Sequence, residues 1–316
     1  MWGTLRSIGV SFAPPFVVEP SLMEARGTVG FPAAYLRLVR PKQWTKNGFV
    51  LAGVVFSGEA LQASSVAAAL LAFVAFCALS GAVYAANDIL DVAEDRKHPT
   101  KRLRPVASGE IAVRVAIVYA ALLAVGGLAL AFFVNSGVGL AGLAYLALQA
   151  LYTPVLKHIA LLDVMSISAG FVLRALAGVA AVGETVSPWL VICTGLLTLY
   201  LGFSKRRYEL YVLGEGAESH RKNLKDYSIE MLDQMMMIMI AATIIAYIMY
   251  TFTFGLHLRL YMMASVPFVI YGVFRYMLLV HRDGGGDPDT LLLRDRPLQV
   301  NLLLFLAVVM AVIYFF

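Results

Sequence analysis

Long apolar runs separated by short polar ones pattern this chain, and within each run the apolar positions are continuous rather than alternate. Ala- and Leu-rich runs of that kind read as helices, because a lipid-facing strand would alternate apolar and polar positions. Nine of them approach the roughly 17–25 residues that a membrane-spanning helix needs. They lie near 47–64, 66–88, 111–134, 137–154, 162–183, 187–205, 235–256, 260–280 and 298–316. The pattern predicts an all-α polytopic membrane protein with a single nine-helix transmembrane domain over 35–316. Residues 1–34 precede it as a flexible or interfacial leader, lacking the sharp apolar core of a signal peptide.

Composition agrees with the pattern. The chain has 316 residues, of which 60% are hydrophobic and 14% charged, more apolar surface than a soluble domain could cover. A net charge of +5 suits anionic lipid or anionic substrates. Nucleic acid is excluded as a partner, because no basic, aromatic-interleaved soluble segment is present. Cys77 and Cys193 both lie inside apolar runs and read as small core residues.

The bases are placed asymmetrically. Arg37, Arg40, Lys42 and Lys46 precede the first run, and Arg96, Lys97, Lys101, Arg102 and Arg104 fill the connection after the second. Lys157 follows the fourth run, Lys205, Arg206, Arg207, Arg221, Lys222 and Lys225 the sixth, and Arg282, Arg294 and Arg296 the eighth. The alternate connections are nearly free of bases, with Arg259 the exception. The positive-inside rule then puts the N-terminus and the long connections in the cytoplasm and the C-terminus outside, in a plasma (inner) membrane. Connections 89–110 and 206–234, long and charged, are expected to cap a site on the inner face.

Chemistry concentrates where the second run ends, in NDILDVAEDRKHPTKRLRP (87–105). Asp88, Asp91 and Asp95 step by three and four, so a helix continuing through them would carry all three carboxylates on one face, over roughly 10 Å. Like charges at that spacing repel, and the negative end of the helix dipole adds to the cost. A solvated helix end paired with neighbouring bases is the plain alternative. Position at the membrane edge favours a bound cation, and hard oxygens with room for water suit Mg²⁺ shared with substrate phosphates. Further along, Asp163 and Arg174 lie eleven residues apart in the fifth run, near three full turns. An ionised Arg within the bilayer costs at least ~2.5 kcal/mol, so Arg174 is expected either to pair with a neighbouring helix or to face a polar cavity and help hold a substrate phosphate or sugar.

N-D-x-x-D-x-x-x-D after the second of nine hydrophobic segments resembles the UbiA superfamily of intramembrane prenyltransferases. RPKQWTKN (40–47), NDILDVAEDRKHPTKRLRPVASG (87–109), LDVMSISAGFVLRALAG (162–178), SKRRYEL (204–210), RKNLKDYS (221–228) and LLLRDRPLQ (291–299) resemble its decaprenyl-phosphate phosphoribosyltransferase branch. The resemblance runs from about residue 35 almost to the end. Most of the superfamily carries a second acidic motif, D-x-x-x-D, after the sixth helix, where this chain has Lys205, Arg206 and Arg207, with Glu209 as the one carboxylate. A prenyl diphosphate has one anionic cluster; phosphoribosyl diphosphate has two, and a lipid phosphate adds a third. Guanidinium and ammonium groups answer that need, although the positive-inside rule alone also predicts bases here, as it does for Lys101, Arg102 and Arg104.

The resemblance implies a nine-helix bundle with a central cavity open to the cytoplasm. It implies transfer of 5-phosphoribose from phosphoribosyl diphosphate to a polyprenyl (decaprenyl) phosphate, with Mg²⁺ on Asp88, Asp91 and Asp95, for cell-envelope arabinan precursors. It places Lys46, Asn47, Tyr84 and Asn87 near the donor diphosphate. Homo-oligomers are compatible with it, with no stoichiometry fixed. Two rivals stand beside this reading: a superfamily prenyltransferase acting on an aromatic or lipid acceptor, against which SKRRYEL argues, and a transport or lipid-binding protein, for which no internal repeat speaks. The MMMIMI run (235–240) reads as lipid-facing or packing material, the His spacing gives no metal site, and GGGDP (284–288) reads as a turn.

Overall fold

The computed structural model describes residues 31–213, 222–254, 256–282, 291 and 294–315, and every described element is helical. The leader up to residue 30 and the GGGDP turn lie outside the described residues. In chain order the α-helices are α1 (Phe31–Leu38), α2 (Phe49–Phe56), α3 (Ala63–Leu90), α4 (Val92–Asp95), α5 (Val113–Val134) and α6 (Ser136–Tyr152). They continue with α7 (Leu162–Ala181), α8 (Pro188–Leu213), α9 (Ile229–Thr251), α10 (Leu256–Met263), α11 (Val266–Arg282) and α12 (Arg296–Phe315).

Seven described helical segments are long and apolar enough to cross a membrane: α3, α5, α7, α8, α9, the α10–α11 pair and α12. The eighth apolar helix, α6, is shorter at 17 residues. The first expected span differs most. Over 47–64 the chain forms the end of a 3-10 helix (Pro41–Gly48), the eight-residue α2, and a polar turn in which Gly58 takes a φ of 81°. Pro41 starts the 3-10 segment without an N–H to satisfy, and the polar SGEALQ stretch ends the helical run after Phe56.

Local chemistry sets the other ends. Asn135 caps α6 by accepting from the Val138 amide at 2.9 Å, and its Nδ2 donates to the Ala180 carbonyl at 2.7 Å, tying α6 to the end of α7. Ser228 caps α9, and Asp295 accepts from the Leu298 amide to start α12. The α10–α11 break at Ala264–Ser265 precedes Pro267, whose missing N–H cannot extend a helix, and the Tyr247 hydroxyl meets Ser265 Oγ there at 2.6 Å.

Helix α8 departs from expectation by continuing as helix through SKRRYEL to Leu213. The presumed 206–234 connection is therefore helical at both ends, with 214–221 outside the described residues. Lys, Arg, Glu and Leu are good helix formers, and α9 packs against this extension. One core joins α7, α8, α9, α11 and α12 through Val164, Tyr200, Phe203, Leu232, Met236, Tyr276 and Leu298, while a second joins α2, α3, α5, α6 and α7. The methionine run divides between the first of these cores and the outer surface: Met236 is buried and Met237 is 60% exposed.

Helices α2 and α7 touch backbone to backbone. A Cβ on Gly178 would overlap the Val50 carbonyl, and one on Gly53 would overlap the Gly178 backbone, so glycine at both positions is what allows the approach. This crossing seats the 3-10 segment that carries Lys46 and Asn47.

Candidate active site

The acidic row does not lie on one continuous helix. Helix α3 ends at Leu90, Asp91 takes φ −90° and ψ 6° at the junction, and α4 resumes at Val92. The interruption is confined to that one residue. It still brings two of the three together. Arg104 Nη1 stands 3.3 Å from Asp88 Oδ1 and 2.7 Å from Asp95 Oδ2, and both carboxylates are buried. Asp91 is half-buried at the break and does not join that contact.

A second guanidinium, from Arg40, pairs with the same Asp88 oxygen and lies 5.2 Å from the centre of the Tyr84 ring. Sequence reading gave Arg40 only a role in topology. Its backbone is left-handed, φ 52° and ψ 68°, which is uncommon for a residue other than glycine and is not announced by any local pattern. That turn directs Arg40 toward Asp88 while the following 3-10 helix carries Lys46 away to the wall of a large cavity.

Among the described residues no group of three or more His, Cys, Asp or Glu is placed to hold a metal ion. The pair that does converge fits one. Asp88 and Asp95 share a single positive centre, now the Arg104 nitrogen, and hard carboxylate oxygens around such a point are the donor set Mg²⁺ takes together with substrate phosphates.

The other donor-side residues separate. Asn47 is fully buried, donating to Ser80 Oγ at 3.1 Å and accepting from Arg174 Nε at 2.7 Å. Arg174 also donates to the Gly170 carbonyl at 2.8 Å and the Tyr145 hydroxyl at 3.1 Å, and lies over the Tyr145 and Phe171 rings. It stands over Phe171 and pairs with neighbouring segments through Asn47 and Tyr145, the first of the two arrangements expected of it. Its partners hold Asn47, next in sequence to Lys46. Asn87 Oδ1 accepts from Thr153 Oγ1 at 3.1 Å, while Lys101 and Arg102 stand exposed on a 3-10 turn.

The basic motif forms its own cluster, and its members point apart. Arg206 is 1% exposed, with Nε 2.9 Å from Asp163 Oδ2 and Nη1 paired with Glu209. Arg207 turns to Asp233 at 2.6 Å, and Lys205 is half-buried. The expected row of three cations is therefore one buried, neutralised arginine flanked by two others. Asp163 partners Arg206 rather than sharing a site with Arg174. Tyr227, which sequence reading passed over, donates to Asp163 Oδ1 at 3.0 Å and accepts from the Leu161 amide at 2.6 Å, holding Leu161 at φ 67°. Burial, the largest cause, and the Asp163 charge push the Tyr227 phenol up to about 12. The two clusters meet through α6: Thr153 bonds Asn87, and neighbouring Tyr152 interacts electrostatically with Arg206.

Beside them lies a cavity of about 820 Å³. Thr45, Lys46, Tyr200 and Tyr276 stand on its wall, and most of its remaining lining is apolar, running past Phe49, Phe56, Leu197, Tyr250 and Phe305 to Glu184 and Trp189. Fold and site thus define an intramembrane protein with a long apolar cavity beside clustered carboxylates and guanidinium groups.

Residues 48–303 match the UbiA prenyltransferase family, and the chain belongs to that family. It is 33% identical over 312 residues to the decaprenyl-phosphate phosphoribosyltransferase of Mycolicibacterium smegmatis, covering 92% of this chain and 97% of that one. It is also 33% identical to the enzyme of the same name from Corynebacterium glutamicum, covering 88% and 86%. In fold it is similar to the structure of a UbiA homolog from Archaeoglobus fulgidus bound to DMAPP and Mg²⁺, at a TM-score of 0.69 and 23% identity, covering 89% of this chain and 99% of that one.

Proposed function

We propose that this chain transfers 5-phosphoribose from phosphoribosyl diphosphate to a polyprenyl phosphate, releasing diphosphate. The observation that carries the reading is the similarity to decaprenyl-phosphate phosphoribosyltransferases over nine-tenths of the chain. SKRRYEL agrees with it in removing a second acidic metal motif, although Arg206 and Arg207 are themselves paired with Asp163, Glu209 and Asp233. The long apolar cavity supplies room for a prenyl chain whose phosphate stands near Lys46.

In this reading Asp88 and Asp95 would hold Mg²⁺, which supplies neutralisation of the leaving diphosphate. Arg40 and Arg104 orient Asp88 and Asp95 and add positive charge beside the diphosphate. Lys46 meets the donor at the cavity edge, seated there by the buried Asn47 that Arg174 holds. Positive charge grows on the ribose as the C1–O bond breaks, and a lipid phosphate oxygen attacks C1 from the opposite face. No strong general base is needed, since that oxygen is already anionic at neutral pH. The domain comprises residues 35–316 as a nine-span bundle in the plasma membrane, N-terminus and site cytoplasmic and C-terminus outside, with 89–110 and 206–234 over the site. The base distribution supports that orientation.

A side-by-side donor assay tests the reading. Membranes containing the protein are given labelled phosphoribosyl diphosphate with polyprenyl phosphates of several lengths, or a labelled prenyl diphosphate with aromatic acceptors. Label entering the organic phase from phosphoribosyl diphosphate is expected; product only with the prenyl diphosphate would replace the reading with that of a prenyltransferase.

A further inference from the structure

Asp88 and Asp95 lie on either side of the Asp91 break, and one guanidinium nitrogen serves both. Arg104 Nη1 is 3.3 Å from Asp88 Oδ1 and 2.7 Å from Asp95 Oδ2, while the two side chains are 2% and 3% exposed. Like charges so far from solvent are costly without a cation between them. Arg104 supplies that cation from the rim, with its own side chain 28% exposed.

The backbone beneath Arg104 is fixed. Its amide donates to the Lys101 carbonyl at 2.9 Å, and its carbonyl accepts from the Ser108 amide at 2.8 Å. Val106 and Ile111, just beyond, are buried in a core with Leu38 and Ala85. A rotamer change of Arg104 alone would therefore free the two carboxylates without unfolding the connection. Arg40 is placed differently: it pairs with Asp88 and lies 5.2 Å from the Tyr84 ring centre, so Asp88 keeps one partner when Arg104 leaves.

We propose that Arg104 is a displaceable cation, which neutralises Asp88 and Asp95 and yields its position when those carboxylates take a divalent ion. An ion shared by the pair needs the place that Nη1 holds, and repulsion between it and a guanidinium is strong where little water screens it. The cost of moving Arg104 then sets how tightly the site takes a bare ion. The proposal rests on the reading that Asp88 and Asp95 hold Mg²⁺, and not on which group is transferred.

Mn²⁺, a paramagnetic substitute for Mg²⁺, tests it by EPR on the full chain in nanodiscs of zwitterionic lipid, with neither donor nor acceptor present. Arg104→Met removes the charge and keeps an unbranched side chain. The variant is expected to bind Mn²⁺ about tenfold more tightly than the parent, the scale of one charged hydrogen bond that need not be broken. Without divalent ion it is expected to melt below the parent, and at a fixed Mn²⁺ concentration to gain more than the parent gains. Asp95→Asn in either background should lose this binding, which assigns it to the pair. Arg104→Gln repeats the comparison should the Met variant not fold. Equal or weaker Mn²⁺ binding without the Arg104 charge, with the Asp95-dependent site intact, would overturn the proposal and leave the metal reading standing. No Asp95-dependent binding in either protein would overturn both.

Discussion

Arg206 lies 2.9 Å from Asp163 across the α7–α8 interface, with the arginine 1% exposed and the aspartate fully buried. Two charges removed from solvent in this way stabilise little as a pair, but each becomes costly when the other is lost. Arg206 keeps Glu209 when Asp163 is lost, so the costly single variant is Arg206→Met, which strands the buried Asp163 and should destabilise the fold by about 3–5 kcal/mol, read as unfolding in detergent or nanodiscs, whereas adding Asp163→Asn should recover much of the loss. A single variant as stable as the parent would contradict the pairing.

Arg104 is the cation shared by Asp88 and Asp95. Both contacts come from the one Nη1, and lysine preserves the charge but not the reach and planar geometry that place that nitrogen between the two carboxylates. Arg104→Lys is expected to lower kcat/KM by more than tenfold and to shift the Mg²⁺ concentration giving half-maximal activity. Unchanged activity and metal dependence would remove Arg104 from the site.

Much of this arrangement was legible in the sequence, and the missing part has physical reasons. Apolar run length located most of the spanning helices, because the bilayer demands it, and the acidic motif gave the position of Asp88 and Asp95. The interruption at Asp91 was not legible, since a spacing of three and four describes a continuous helix and carries no sign of where it stops. Arg40 was invisible as a site residue because no local pattern announces its left-handed backbone. The cost of its charge left Arg174 two arrangements, and only the fold shows that neutral partners and two aromatic faces meet that cost. Tyr227 carries no sign in the sequence, and only the fold shows its hydroxyl against Asp163.

Gly178 lies against the Val50 carbonyl, so Gly178→Ala has no flexible side chain to displace and must push α2 off α7. Since α2 continues the segment bearing Lys46, the variant is expected to lower both the melting temperature and turnover by more than tenfold. A folded variant with parental turnover would show that the crossing does not position the site. Overpacking at backbone contacts costs typically about 1–3 kcal/mol.

Tyr227 has a phenol pushed up to about 12, chiefly by burial, so the fold favours its neutral form. Its contribution to stability is fully present below the ordinary tyrosine range near ~10 and is lost as pH rises toward that higher value. Melting curves between neutral and strongly alkaline pH should therefore fall more steeply for the parent than for Tyr227→Phe. Parallel curves would mean that this hydroxyl does not hold Asp163 and the Leu161 amide.

The most direct test of phosphoribosyl transfer is product stoichiometry with purified protein and donor labelled separately in the ribose and in the diphosphate. One organic-soluble ribose should appear for each diphosphate released, with neither formed when polyprenyl phosphate is omitted. Diphosphate release without lipid-linked ribose, or no release at all with intact folded protein and Mg²⁺ present, would contradict the account.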